Sequence, residues 1–139
     1  MPTHQDRISL STNGHGDMHD LTDAVTTVVQ ASGLTAGLVH VHNVGSTGAV
    51  GTIEFEPGLQ QDLPELLDEL FPPDREYAHE QRWQDENGHS HLQATTLSPS
   101  ITVPVGGGAP ILGTWQQIFH LECDTKPRER TVVVTVRGD

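Results

Sequence analysis

SITVPVGGGAPILGTWQQIFHLECDTKPRERTVVVTVR, residues 100–137, is the stretch on which the fold turns. Ile101, Val103 and Val105 alternate with small or polar neighbours, the two-residue period that turns one face of an extended strand to a core. Gly106-Gly107-Gly108 ends that strand in a turn, since glycine enters left-handed backbone conformations without steric cost. Ile111–Cys123 and Thr131–Arg137 supply further runs rich in β-branched and aromatic residues, which favour strands. Together the three runs predict a terminal antiparallel meander. Within the second, alternation sends Trp115, Gln117 and Phe119 to one face and Gln116, Ile118 and His120 to the other.

Upstream, Leu92–Leu97 fits a short helix beginning at or near the histidines that precede it. Pro57 suits a first helical turn. Leu59, Leu63, Leu66, Leu67 and Leu70 follow at helical spacing up to Phe71-Pro72-Pro73, and Pro64 predicts a kink or restart between them because it lacks an amide hydrogen. Such a leucine stripe is a core or subunit-contact face. Gly37–Val44 and Ala49–Glu56 read as neighbouring strands joined by Gly45-Ser46-Thr47-Gly48. Nearer the start, Arg7–Thr12 is a short strand and Asn13–His19 a turn. A helix then follows, capped by Asp17 or Asp20, with Leu21, Val25, Val28 and Val29 on one face and Gly33 as its stop. The expected class is α+β: a single compact domain over residues 1–139, with mixed or antiparallel sheets and two to three helices.

A chain of 139 residues is long enough to bury one real core. Its net charge of −12, with only seven basic side chains, argues against nucleic acid or anionic membrane as partner, because both are held by clustered Lys and Arg. No apolar run reaches the ~20 residues that span a bilayer, and MPTHQDRISL lacks a basic-then-apolar signal pattern. A cytoplasmic location is the expectation. The lone Cys123 excludes an intramolecular disulfide and reads as a buried, inert thiol.

The densest polar segment is Tyr77–Leu92, YAHEQRWQDENGHSHL. His79, His89 and His91 are metal-ligand types, and Glu80, Asp85, Glu86 and Asn87 are types that orient ligands or supply hard oxygens. On an extended segment His89 and His91 point the same way; on a helix the two-residue offset separates them by about 200°. The alternative is a solvated acidic loop with incidental histidines. His4, His15 and His19 are read as histidines without a role.

Taken in order, a set of segments from Gly37 onward resembles one family: Gly45-Ser46-Thr47, EFEPGLQQDL from Glu54 through Asp62, Tyr77-x-His79, Asp85-x-Asn87-x-His89-x-His91, Pro104, Leu112-Gly113-Thr114-Trp115-Gln116-Gln117, and Asp124-x3-Arg128-x-Arg130. On these residues the chain resembles the YjbQ family, whose members carry the label secondary thiamine-phosphate synthase enzyme. Many members have a His-Thr-Thr-Ala stretch where this chain has Gly45-Ser46-Thr47 followed by Gly48, and a glycine where it has Ser98. The first 36 residues match only in outline. The resemblance implies a homotrimer of compact α+β subunits. It also implies a transferase joining a pyrimidine diphosphate to a thiazole phosphate with loss of pyrophosphate, an activity described as secondary, which leaves the physiological substrate open.

That chemistry requires positive charge on the leaving group. Arg128 and Arg130 share a face of an extended segment and suit a phosphorylated ligand or other anion, with the backbone of Gly45–Gly48 and the hydroxyls of Ser46 and Thr47 as further contacts. Surface arginines balancing an acidic protein are the alternative. A divalent metal would repair the charge deficit: zinc on His79, His89 and His91, or magnesium on Asp62, Asp85 and Asn87. Asp85, Glu54 and His89 are the catalytic candidates. Trp115, Gln116 and Asn87 are substrate contacts, with Trp115 as a core residue the competing reading. Against the enzyme stands a non-catalytic trimer that binds a metal or small ligand.

Overall fold

A computed structural model describes residues 2–139. Among them, eight strands and four helices follow in the order β1 (Thr3–Ser11), β2 (Met18–Asp20), α1 (Thr22–Ser32), β3 (Ala36–Val44), β4 (Gly48–Ile53), α2 (Pro57–Leu70), α3 (Ala78–Trp83), α4 (Gly88–Leu97), β5 (Ser100–Gly106), β6 (Ala109–Pro110), β7 (Gln117–Glu122) and β8 (Glu129–Gly138). The strands make a five-stranded sheet, ordered β1-β8-β3-β5-β6, and a three-stranded sheet, ordered β2-β7-β4. Every pairing is antiparallel. The molecule is a single α+β domain, with four helices where two to three were expected.

The alternation read from the sequence holds for β8, whose Val132, Val134 and Val136 are fully buried. They pack with Val39, Val41, Val103 and Val105 of the same sheet and with Val25, Val28 and Val29 of α1. Burying one such valine stabilises the fold by about 1.5–3 kcal/mol. β7 is buried on both faces. Ile118 joins this first core, while Phe119, Leu121 and Cys123 join a second with Leu67 of α2 and Ala94 of α4. The small sheet therefore lies between the large sheet and α2 with α4.

Three expectations are corrected. β3 and β4 do not pair: β3 belongs to the large sheet and β4 to the small one, because the chain turns between layers at Gly45, whose φ of 144° is open to glycine. The Asn43 amide clamps that turn, donating to the carbonyls of Gly45 at 3.2 Å and Gly48 at 3.4 Å. The terminal meander is likewise absent. β7 leaves for the small sheet, and β8 returns to insert between β1 and β3, since period-two patterning selects a face and leaves the partner strand unspecified. Lastly, α2 passes through Pro64 without interruption. Its Leu63 and Leu67 are anchored in the second core, which offsets the missing hydrogen bond.

Candidate functional site

The first polar region lies where β7 and β8 face each other across the layers. His120 and Glu122 share a face of β7 with Ile118 and are fully buried. Arg130 donates through Nε to Glu122 Oε1 at 2.8 Å, through Nη2 to Glu122 Oε2, and also to Thr47 Oγ1 at 2.8 Å. Thr12 Oγ1 donates to Glu122 Oε1 at 2.7 Å, and the Asp124 amide to Oε2 at 3.0 Å. Burial opposes the Glu122 charge, yet Arg130, Thr12 and the Asp124 amide outweigh it and hold the carboxyl below its usual range.

Asp124 continues the network. Its Oδ2 accepts from Thr47 Oγ1 at 3.0 Å and from Arg128 Nε and Nη2 at 3.0 and 2.7 Å. Its Oδ1 accepts from the Thr125 amide at 2.7 Å and from Asn87 Nδ2 at 3.4 Å. Against the cost of burial, the Thr125 amide, Arg128 and Thr47 bring its pKa down to about 2. Asn87 Oδ1 lies 2.9 Å from His79 Nε2, which also meets Asp85 Oδ1 at 2.9 Å. The network thus joins Thr47, His79, Asp85, Asn87, Arg128 and Arg130, six of the residues singled out in the sequence. Both arginines direct their forks to carboxylates of their own chain.

The three histidines do not converge. α4 begins at Gly88, so His89 and His91 sit on a helix with their offset of two. The ring of His91 lies 4.7 Å from that of His79, whereas His89 faces His15 at 5.3 Å. Among the described residues no three His, Cys, Asp or Glu side chains form a group able to hold a metal ion. The zinc set therefore does not fit within one chain. Nor does the magnesium set: Asp62 is exposed on α2, and Asn87 spends its oxygen on His79. Glu54, Ser46 and Gln116 are exposed. Trp115, expected on a strand face, is 73% exposed in the turn before β7, because the strand begins only at Gln117.

The second polar region was missed. A cavity of about 970 Å³ is bounded by His15, Tyr77, Glu80, His89 and Thr125, with Arg75, Glu76 and Glu86 on its walls. His15 is presented by a tight turn between Gly14 and Gly16, both at positive φ. A Cβ on Gly14 would come within 3.3 Å of the Lys126 backbone, so the turn packs against the loop before β8. His15 Nε2 meets Asp68 Oδ1 at 2.7 Å and Nδ1 meets the Cys123 carbonyl at 3.1 Å. Both partners accept, so both bonds form together only when each ring nitrogen carries hydrogen. Gln93 Nε2 donates to the same Asp68 oxygen at 2.9 Å, tying it to α4.

His89 differs. It is only 3% exposed, its Nε2 is 3.5 Å from Ser90 Oγ, and its Nδ1 is buried without a partner. Burial foremost, then the adjacent His15, pushes its pKa below the usual histidine value, so the ring is neutral at pH 7. Glu80 accepts the Gly88 amide through Oε1 at the start of α4, while its Oε2 is buried and unpartnered. Only glycine lets the helix start there, since a Cβ on Gly88 would lie 2.7 Å from Glu80 Oε1 and 2.8 Å from Tyr77 Cβ. The Gly14-His15-Gly16 triplet was the available signal: a side chain displayed between two glycines on a turn.

Among the described residues no helix is long and apolar enough to cross a membrane. Residues 6–139 match the family described as UPF0047 protein YjbQ-like. A UPF0047 protein of Methanothermobacter thermautotrophicus is 37% identical over 99% of this chain and 94% of its own length. One from Archaeoglobus fulgidus is 39% identical over 91% and 96%. The crystal structure of a YbjQ-like protein of unknown function from Sulfolobus solfataricus superposes with a TM-score of 0.93 at 34% identity, covering 99% of both chains. These proteins bear only the family designation or the words unknown function. They overturn the thiamine-phosphate synthase activity that the resemblance implied, while its family assignment stands. The chain belongs to the UPF0047, YjbQ-like family.

Proposed function

We propose that the chain handles a small polar molecule in the cavity bounded by His15, Tyr77, Glu80 and His89, with His89 as the group that accepts a proton or hydrogen bond from it. The observation that carries this reading is the unpartnered, buried Nδ1 of a histidine on the wall of a cavity large enough for a metabolite. An unsatisfied buried group costs about 1–3 kcal/mol, a cost that a bound donor removes. A neutral imidazole is also the form that accepts a proton. His15, fixed by Asp68 and the Cys123 carbonyl, supports the ring as a positioning residue.

The test is ligand screening read at the imidazole nitrogens of His89 by long-range ¹H–¹⁵N NMR. Binders should shift the His89 signals and lose affinity in His89→Gln. Binders that leave those signals unchanged would place the working site elsewhere. The trimer implied by the resemblance belongs to the same proposal, supported by Leu38 and Val44, about half exposed on the face of β3 that turns away from the core. Sedimentation equilibrium showing the mass of one chain would remove it.

A further inference from the structure

We infer that the ligand of this cavity enters with a protonated amine, held between the Glu80 carboxylate and His89 Nδ1; this rests on the reading above and names its ligand class. The two side chains with unpartnered buried atoms on the cavity wall, Glu80 and His89, both present acceptors when the histidine is neutral and its Nε2 carries the hydrogen. What completes them is a donor with more than one hydrogen. Charge narrows the choice further. Glu76, Glu80 and Glu86 line the cavity against the Arg75 guanidinium, and the whole chain carries −12, so the field draws in cations.

Arg75 is turned onto the ring of Tyr77, its guanidinium 4.9 Å from the ring centroid. Among the described residues the donor offered to the Glu80 carboxylate is the Gly88 amide, which occupies Oε1 and leaves Oε2 open. A bare metal ion fits less well. No third ligand stands with the pair among the described residues, and a cavity of about 970 Å³ far exceeds one ion. An organic ammonium supplies both the charge and the several N–H donors, with room for the rest of the molecule.

The experiment titrates wild-type protein with propylammonium, 1-propanol, propionate and zinc chloride separately, by calorimetry and His89 NMR. Propylammonium should bind saturably and shift His89, and Glu80→Gln, which retains an oxygen for the Gly88 amide, should weaken it about tenfold or more, the scale of one charge-assisted hydrogen bond. Equal binding of 1-propanol, preference for propionate, displacement by zinc alone, or unchanged affinity in Glu80→Gln would each overturn the ammonium assignment. If Glu80→Gln fails to fold, Arg75→Gln decides: removing that cation should tighten propylammonium, and unchanged or weaker binding overturns the inference. Propionate or propanol shifting His89 without the amine would leave the cavity reading standing. Silence of His89 toward all four probes would end both.

Discussion

Two polar regions lie side by side in this small domain, and they differ in how their hydrogen bonds are completed. Between the sheets, Glu122 takes donors from Arg130, Thr12 and a backbone amide, and Asp124 from Thr47, Arg128, Asn87 and Thr125. In the cavity beside them, His89 and Glu80 each retain a buried atom with none. The carboxylates between the sheets are fully engaged, and the unpartnered buried atom beside them, His120 Nδ1, lies away from the cavity, whereas those of His89 and Glu80 belong to side chains on its wall. The contrast is why the proposed site lies in the cavity rather than at the arginines that the residue types alone suggest.

The sharpest way to break the comparison is to open the completed side. Arg130→Met leaves the fully buried Glu122 without its cation, and loss of one partner from such a pair costs about 3–5 kcal/mol. Urea denaturation should show that loss, and the double variant Arg130→Met, Glu122→Leu should recover part of it. A cost below about 1 kcal/mol would mean that the pair is not buried as described. In the cavity, Glu80→Gln should change stability by less than about 1 kcal/mol, because one of its oxygens has no partner to lose.

Acid supplies the next largest effect. His120 is fully buried, with Nε2 2.9 Å from Asn43 Oδ1, and burial lowers its pKa from 6.5 to about 4. The unfolded chain therefore takes up a proton that the folded one refuses. The contribution is fully present above pH 6.5 and is lost as pH falls toward about 4, amounting to roughly 3 kcal/mol at ~1.4 kcal/mol per pKa unit. Asp124 acts in a lower window, its contribution being present above 3.8 and lost as pH falls toward about 2. Stability measured against pH should decline through these two windows, with His89 sharing the upper and Glu122 the lower, and His120→Gln should flatten part of the upper one. An unchanged upper step in that variant would show that His120 contributes nothing to it.

Smaller effects sharpen the picture. Burial, with Glu122 nearby, pushes the Cys123 thiol up to about 12, so iodoacetamide should label it only on unfolding; rapid labelling of the native protein would contradict its burial. Trp115→Ala should change stability by less than about 0.5 kcal/mol, in keeping with a side chain 73% exposed, and a larger loss would reveal a contact with a second copy.

Much of this architecture is legible in local patterns. Val132, Val134 and Val136 announce a one-sided strand, the leucines of α2 an amphipathic helix, and Gly33 the stop of α1 at positive φ. Partner choice is not legible: β7 looks like the middle of a meander but is buried on both faces in another sheet. The site divides in the same way. Glu122-x-Asp124 followed by Arg128-x-Arg130 has the spacing of mutual ion pairs, a reading open to sequence inspection. His15 and Asp68, in contrast, lie 53 positions apart and meet only through packing of the Gly14–Gly16 turn on the remainder of the fold. Helix geometry split His89 from His91, and that choice between helix and extended chain was what the residues alone left open.

The strand order carries a consequence for how the protein is made. β8 is an interior strand of the large sheet, pairing with β1 from Thr3↔Arg137 to Ser11↔Glu129 and with β3 from Gly37↔Gly138 to Val44↔Thr131. A ribosome delivers it after every other strand described here, at about 5–20 residues per second. Through several seconds of synthesis β1 has no neighbour, and β3 offers a bare edge where its future partner will lie, the kind of edge that pairs with other chains. The nascent chain is thus exposed to misassembly until that ten-residue strand closes the gap, and any chaperone that guards it has those two edges to cover.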